Sequence, residues 1–411
     1  MNSLERRDFF ALLGIGYLAG TIPGGLQGAE GSASRTFVSE RADGRHSQTV
    51  GQLQAQLKHL RPKLAFDSSI TADNFSTWRE SVREKLLELM CFPEGVPVQA
   101  EPKKLWTEQR DGYALQKWEA YPDPYSAVPF LVLVPDGVSS NSPAPAVMCF
   151  PGSTHSKESL AGEPELDTGK PAQNKHWESN RQALHYAKKG IVSIAIDNPA
   201  IGELASPLQA RSRMSECMLW MGRNYLGLSV FQKACILKWL SQWPLIDVKR
   251  IATSGHSLGS NPADVLGVLH PELVSAVIHN DFVCNWQERA IAQNFAPPGD
   301  HHTVPGLFQW FDHTDIQAAL APCPLLFTEG GRTNQINKIR QAYKLLNAED
   351  QIEVYYYAKY ATPAQRPLDG KELPDGLTSD EYLEYANVDA GMHRFRPTRA
   401  VPWLTKVFGM D

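Results

Sequence analysis

The stretch Arg250-Ile251-Ala252-Thr253-Ser254-Gly255-His256-Ser257-Leu258-Gly259 carries an apolar, strand-length run through a G-x-S-x-G turn into a helical one at Pro262 to Leu269. A serine hydroxyl is a weak nucleophile until such a strand-to-helix turn lifts it above a sheet edge. There a base can take its proton and backbone N–H groups can face the developing oxyanion. The turn forces the serine toward unfavourable φ/ψ, and the flanking glycines keep strand and helix from colliding. Ser257 is thus the candidate nucleophile, and a purely structural Gly-Ser turn is the alternative reading.

Outward from this turn, strands and helices alternate. Tyr113 to Tyr121, Pro129 to Val134, Ala146 to Phe150, Ile191 to Ile196, Leu273 to His279, Pro324 to Thr328 and Ile352 to Tyr357 have the length and apolar character of strands. Helical spacing covers Arg181 to Lys189, Leu226 to Leu240, Lys338 to Leu346 and Val401 to Phe408. Continuous apolar strands separated by helices predict the α/β class, with a mostly parallel sheet covered on both faces and a site at the carboxyl ends of the strands. Upstream, Val50 to Leu60 and Phe75 to Met90 predict a helical N-terminal extension over 51–100, ahead of a catalytic domain over 101–411.

In this architecture the partners of a serine nucleophile follow it in the order acid, then histidine. Of twelve histidines, His393 lies beyond the last predicted strand and before the last helix, where a loop can return it to Ser257. His256 is read as structural, pointing away from its neighbour. Past the strand ending near Thr328 the chain reads Glu329-Gly330-Gly331-Arg332-Thr333-Asn334, with no aspartate at the usual spacing. Two acids remain open, Asp281 after the preceding strand and Glu329 with its extra methylene; Asp281 is given the edge, as a replacement from elsewhere. Pairing to Arg289 or Arg332 is the structural alternative for either. The oxyanion donors are expected from Leu258 N–H and from the loop bearing Gly152, Ser153 and Thr154.

The chain has 411 residues, 42% of them hydrophobic, and a formal net charge of -5. Such a balance supplies no basic field for nucleic acid and no polybasic membrane surface. Arg6-Arg7-Asp8-Phe9-Phe10 opens a short apolar stretch that ends in Gly/Ala-rich sequence, similar to a twin-arginine export signal over 1–29; a polar linker over 30–50 follows. The expected location is periplasmic or secreted, with no membrane anchor after signal removal. Six scattered cysteines lack zinc or redox spacing, and no cofactor or metal is expected. Asp300-His301-His302 with Asp312-His313 has irregular spacing for a metal cluster and reads better as a solvated polar loop. Oligomeric state is not legible.

Pro151-Gly152-Ser153-Thr154-His155-Ser156-Lys157-Glu158, Val304-Pro305-Gly306-Leu307, Asp315 to Pro322 and Pro324-Leu325-Leu326-Phe327 resemble the dienelactone-hydrolase-like and acetyl xylan esterase-like branch of the α/β-hydrolase superfamily, over residues from about 104 to 410. The branch's H-G-x-x-x-x-K-E loop is matched except that Pro151 replaces the leading histidine. The resemblance implies an α/β-hydrolase fold and a serine carboxylic ester hydrolase. An acid at Asp281 is reminiscent of glucuronoyl esterases, although those carry Arg where this chain has Leu258. Lid-like insertions carry Trp220, Arg223, Trp286 and Trp310, expected to line a site for a glycan ester; a small aromatic lid core is the other reading. A catalytically inactive fold serving as a binding protein is the rival class.

Overall fold

The computed structural model describes residues 39, 41–92, 101–166, 178–295, 299 and 303–410. The export stretch, residues 30–38 and 40 of the linker and residues 93–100 lie outside the described residues. The strands are β1 (Lys103–Arg110), β2 (Tyr113–Ala120), β3 (Val128–Pro135), β4 (Ala144–Phe150), β5 (Val192–Ile196), β6 (Ile246–His256), β7 (Ala276–Asn280), β8 (Leu325–Phe327) and β9 (Ile352–Val354). They form one sheet in the order β1-β2-β3-β5-β4-β6-β7-β8-β9. The first strands pair antiparallel through β3–β5, and the pairings β4–β5, β4–β6, β6–β7, β7–β8 and β8–β9 are parallel. This is the mostly parallel sheet that the alternation of strands and helices predicts.

The helices are α1 (Thr49–His59), α2 (Phe75–Met90), α3 (Lys157–Ala161), α4 (Gln182–Ala187), α5 (Arg211–Trp220), α6 (Tyr225–Leu240), α7 (Ser260–Leu269), α8 (Trp286–Ala292), α9 (His313–Ala318), α10 (Thr333–Leu345), α11 (Ser379–Tyr385) and α12 (Pro397–Val407). β4, β5, β7 and β8 are buried at every position, as strands covered on both faces must be. Alternation divides the core in two. Phe130 and Val132 of β3 face a layer that includes Val82 and Leu86 of α2, Val230 of α6 and Leu266 of α7. Leu131 and Leu133 face the other way, onto Leu160 of α3, Tyr186 of α4 and Leu404 of α12. The N-terminal extension is therefore part of the core: Trp78, Val82, Leu86 and Met90 repeat on one face of α2 and all are buried.

β1 has no counterpart among the predicted strands. Its charged sequence is exposed at most positions, because it is an edge strand paired on one side to β2. Two predicted strands shrink. Leu273 and Val274 turn back to the His270 carbonyl, so β7 starts at Ala276. β9 stops at Val354, which frees Tyr357 to turn toward the carboxyl edge of β8.

Candidate active site

Ser257 directly follows β6 and opens a single turn of 3-10 helix, Ser257–Gly259, that leads into α7, with φ at 52°. A non-glycine residue in the left-handed region stores strain of order 1–3 kcal/mol, held here by the surrounding packing. The glycines explain why the turn can be so tight. A Cβ on Gly255 would lie 2.0 Å from the Gly259 carbonyl oxygen, and one on Gly259 would lie 2.4 Å from that of Phe150. Ser260 Oγ donates to the Gly255 carbonyl at 2.9 Å, and Asn280 Nδ2 donates to the same carbonyl from β7 at 3.1 Å. Ser257 itself is half-buried at this edge.

The loop after α11 brings His393 to the same edge. Its ring lies 4.8 Å from that of His256, the residue before Ser257, at an interplanar angle of 31°. His393 Nδ1 donates to Glu329 Oε2 at 2.5 Å, whereas Asp281 Oδ1 stands 3.9 Å from the same nitrogen. The order of acids expected from the sequence, Asp281 ahead of Glu329, is thus reversed by the geometry. Glu329 leaves the end of β8, and its longer side chain covers the gap that a missing aspartate one loop later would have filled. Arg332 pairs with Glu288 instead, and Arg289 lies over the rings of Trp286, Phe282 and Tyr382.

Glu329 is fully buried, which alone would raise its pKa. The opposing charge and hydrogen bond of His393, the Tyr357 hydroxyl donating at 2.6 Å and the Arg394 N–H donating at 3.1 Å hold it below the usual carboxylate range. His393 shows the reciprocal effect. Burial pushes the imidazole down, but Glu329 and then Asp281 raise it to about 9. Asp281, whose Oδ1 accepts the N–H of Phe282 at 2.8 Å, is raised by burial and by the Glu329 charge, against the attraction of His393. Glu329 therefore orients the ring, and Asp281 acts on it through space.

Gly152 borders this centre, since a Cβ there would lie 3.4 Å from Ser257 Cβ and 2.9 Å from His256 Nδ1. Ser153 and Thr154 are exposed beside it, and Leu258, next to Ser257, is buried. Both ends of the Gly152 loop are tied to the tip of β5. Asn198 Nδ2 donates to the Pro151 carbonyl at 2.7 Å, and Lys157 N–H donates to Asp197 Oδ1 at 2.6 Å. The Lys157 ammonium is itself wholly buried, with Glu158 at 2.6 Å, Asp197 at 3.0 Å and Glu203 at 2.5 Å.

The residues expected to face a glycan each have their own surroundings. Trp310 lies beneath the ammonium groups of Lys85 and Lys63 from the N-terminal extension, at 4.1 and 4.4 Å. Arg223 donates to the Cys91 carbonyl at the end of α2. Trp286 lines a cavity of about 450 Å³ with Leu60, Ala290, Leu307, Phe308 and His313, and neither Ser257 nor His393 is among its described walls. Trp220 is 89% exposed at the end of α5. Trp286 also packs against the buried cluster that contains Tyr357, the residue whose hydroxyl donates to Glu329. Single aromatic and arginine residues in insertions carry no positional signal of their own.

Of the residues weighed for a metal, 300–302 lie outside the described residues. Asp312 caps α9 and α8, accepting N–H groups from His313, Trp286 and Gln287. His256, Glu329 and His393 can each place one ligand atom within 4.8 Å of the others, but Glu329 Oε2 already accepts from His393 and Tyr357. All six cysteines are free thiols. Sequence reasoning missed Tyr357, read as a strand residue, and the contact of the His256 ring with His393. No local pattern announces either.

The Abhydrolase family model matches residues 30–406. The crystal structure of a protein named as a candidate acetyl xylan esterase from Bacteroides fragilis is 35% identical, covering 91% of this chain and 98% of that one at a TM-score of 0.84. The methylesterase BT1017 is 17% identical, covering 88% of this chain and 79% of that one at a TM-score of 0.50. No curated protein sequence matches significantly.

Proposed function

The chain belongs to the Abhydrolase family, and on that premise we propose that it is an exported serine carboxylic ester hydrolase that deacylates a glycan through an acyl-enzyme. The observation that carries this reading is the positive-φ Ser257 at the end of β6, with the His393–Glu329 pair set against the neighbouring His256. His393 Nε2 takes the Ser257 proton as Oγ attacks the ester carbonyl, while Nδ1–H stays on Glu329, which stabilises the imidazolium. The oxyanion forms toward the N–H of Leu258 and those of the Gly152, Ser153 and Thr154 loop, each such donor contributing about 3 kcal/mol in the transition state. Imidazolium protonates the departing alcohol, leaving acyl-Ser257. Water, deprotonated by the same ring, then releases the acid and restores the serine.

Acetyl or a similar short acyl group on a glycan is supported by the 35% identical Bacteroides fragilis protein and its name. Export is supported by Arg6-Arg7 ahead of a short apolar stretch. Among the described residues no helix is long and apolar enough to cross a membrane. Hydrolysis of a short-chain aryl acetate and of acetylated xylo-oligosaccharides tests the reading. Activity that survives Ser257→Ala would reject the nucleophile. Retention of Arg6→Lys/Arg7→Lys full-length chain in the cytoplasm tests the export route.

A further inference from the structure

Two loops converge beside Ser257, one carrying Gly152 to His155 and the other carrying His393, and one buried amide joins them. Asn180 is 2% exposed and stands just before α4. Its Oδ1 accepts from the N–H of Phe395, two residues beyond His393, at 2.9 Å, and its Nδ2 lies 2.9 Å from His155 Nε2. A backbone N–H can only donate, so the amide oxygen must face Phe395 and the NH₂ must face His155. Nε2 of His155 is then the acceptor, its ring carries the proton on Nδ1, and that N–H meets Thr154 Oγ1 at 3.2 Å. One backbone donor thereby sets the polarity of the whole chain of bonds, none of which includes Ser257, Glu329 or the His393 ring.

We propose that Asn180 is a positioning residue that locks the oxyanion loop to the loop delivering His393, through the chain Phe395–Asn180–His155–Thr154. This rests on the hydrolase reading above. The oxyanion donors and the general base must be in place together, and a displacement of about 1 Å in either costs on the order of 10²-fold in rate.

The test is steady-state hydrolysis of a short-chain aryl acetate by Asn180→Leu, His155→Phe and the double variant, with Ser257→Ala as the blank. Each single variant is expected to lower kcat by roughly 10- to 100-fold, with KM within about twofold. The double variant should be no worse than the poorer single one, because both cut the same chain. His155→Gln, which keeps an acceptor toward Asn180, should restore most of kcat. If Asn180→Leu fails to fold, Asn180→Ala replaces it: it removes both the acceptor for the Phe395 N–H and the donor to His155 Nε2 and should lower kcat likewise. Independently of turnover, ¹⁵N-histidine NMR of the wild type, assigned by the signal lost in His155→Gln, should show His155 protonated on Nδ1. An unchanged kcat in the Asn180 variants, multiplicative losses in the double variant, or a proton on Nε2 would each overturn the proposal. A wild-type chain as inert as Ser257→Ala is a different result, and overturns the hydrolase reading itself.

Discussion

His393 Nδ1 and Glu329 Oε2 meet at 2.5 Å across 64 positions of sequence, and the glutamate side chain has no solvent exposure. Such a carboxylate fixes which imidazole nitrogen carries the proton, and so leaves Nε2 free to act as base.

Removing that carboxylate should therefore be far more costly than removing its neighbour. Glu329→Gln is expected to lower kcat for an aryl acetate by on the order of 10⁴-fold. Asp281→Asn, 3.9 Å from the same nitrogen, acts only as a charge and should change kcat by no more than about tenfold. Equal losses in the two variants would show that the carboxylates share the task.

The pH profile follows from the same pair. In the proposed mechanism only neutral His393 acts as base, and its two carboxylates raise its pKa to about 9. kcat/KM should consequently climb with pH through the neutral range, its ascending limb displaced from the ordinary histidine value toward 9. Asp281→Asn removes one raising charge and should move the limb to lower pH. Glu329→Gln removes the larger one, leaves burial dominant, and should move the residual activity further down. A limb that stays in place in both variants would mean that another group controls it.

Crowding at the turn makes Gly259 intolerant of a methyl group. The added carbon would lie 2.4 Å from the backbone oxygen of Phe150, which cannot swing aside as a side chain could. Gly259→Ala should lose about 3 kcal/mol of stability in a denaturant titration, together with hydrolysis. Unchanged stability would indicate that β4 yields at little cost.

Lys157 faces three carboxylates with no exposed surface of its own. Lys157→Met leaves buried Asp197 and Glu158 without their cation, and breaking such a cluster from one side costs about 3–5 kcal/mol. The matching measurement is the midpoint of chemical denaturation, read against Arg41→Ala, whose pair with Asp43 is exposed and whose loss should leave the midpoint in place.

Much of this was legible from the order of residues. The strand preceding Ser257, the G-x-S-x-G turn and the late histidine are local patterns, because alternation and steric demand act between residues a few positions apart. The edge strand β1 was illegible because pairing on one side lets charged residues occupy it, so it lacks the apolar signature of β4 or β5. The surroundings of the aromatic residues in the insertions were illegible for a related reason. Trp310 could be read as a platform, yet the lysines that cover it lie more than two hundred positions earlier in the chain.

By itself the sequence determined that this chain makes a mostly parallel α/β sheet and that residue 257 occupies a tight strand-to-helix turn, since apolar periodicity and glycine sterics are short-range. Only the tertiary structure decided which carboxylate holds His393. Asp281 and Glu329 end neighbouring parallel strands, β7 and β8, and both reach the same imidazole. Their difference of 1.4 Å, taken between 3.9 and 2.5 Å, comes from side-chain length, the Tyr357 hydroxyl and the Arg394 N–H. Those partners arrive from distant loops, and hydrogen-bond strength falls too steeply with distance for any linear pattern to encode the choice.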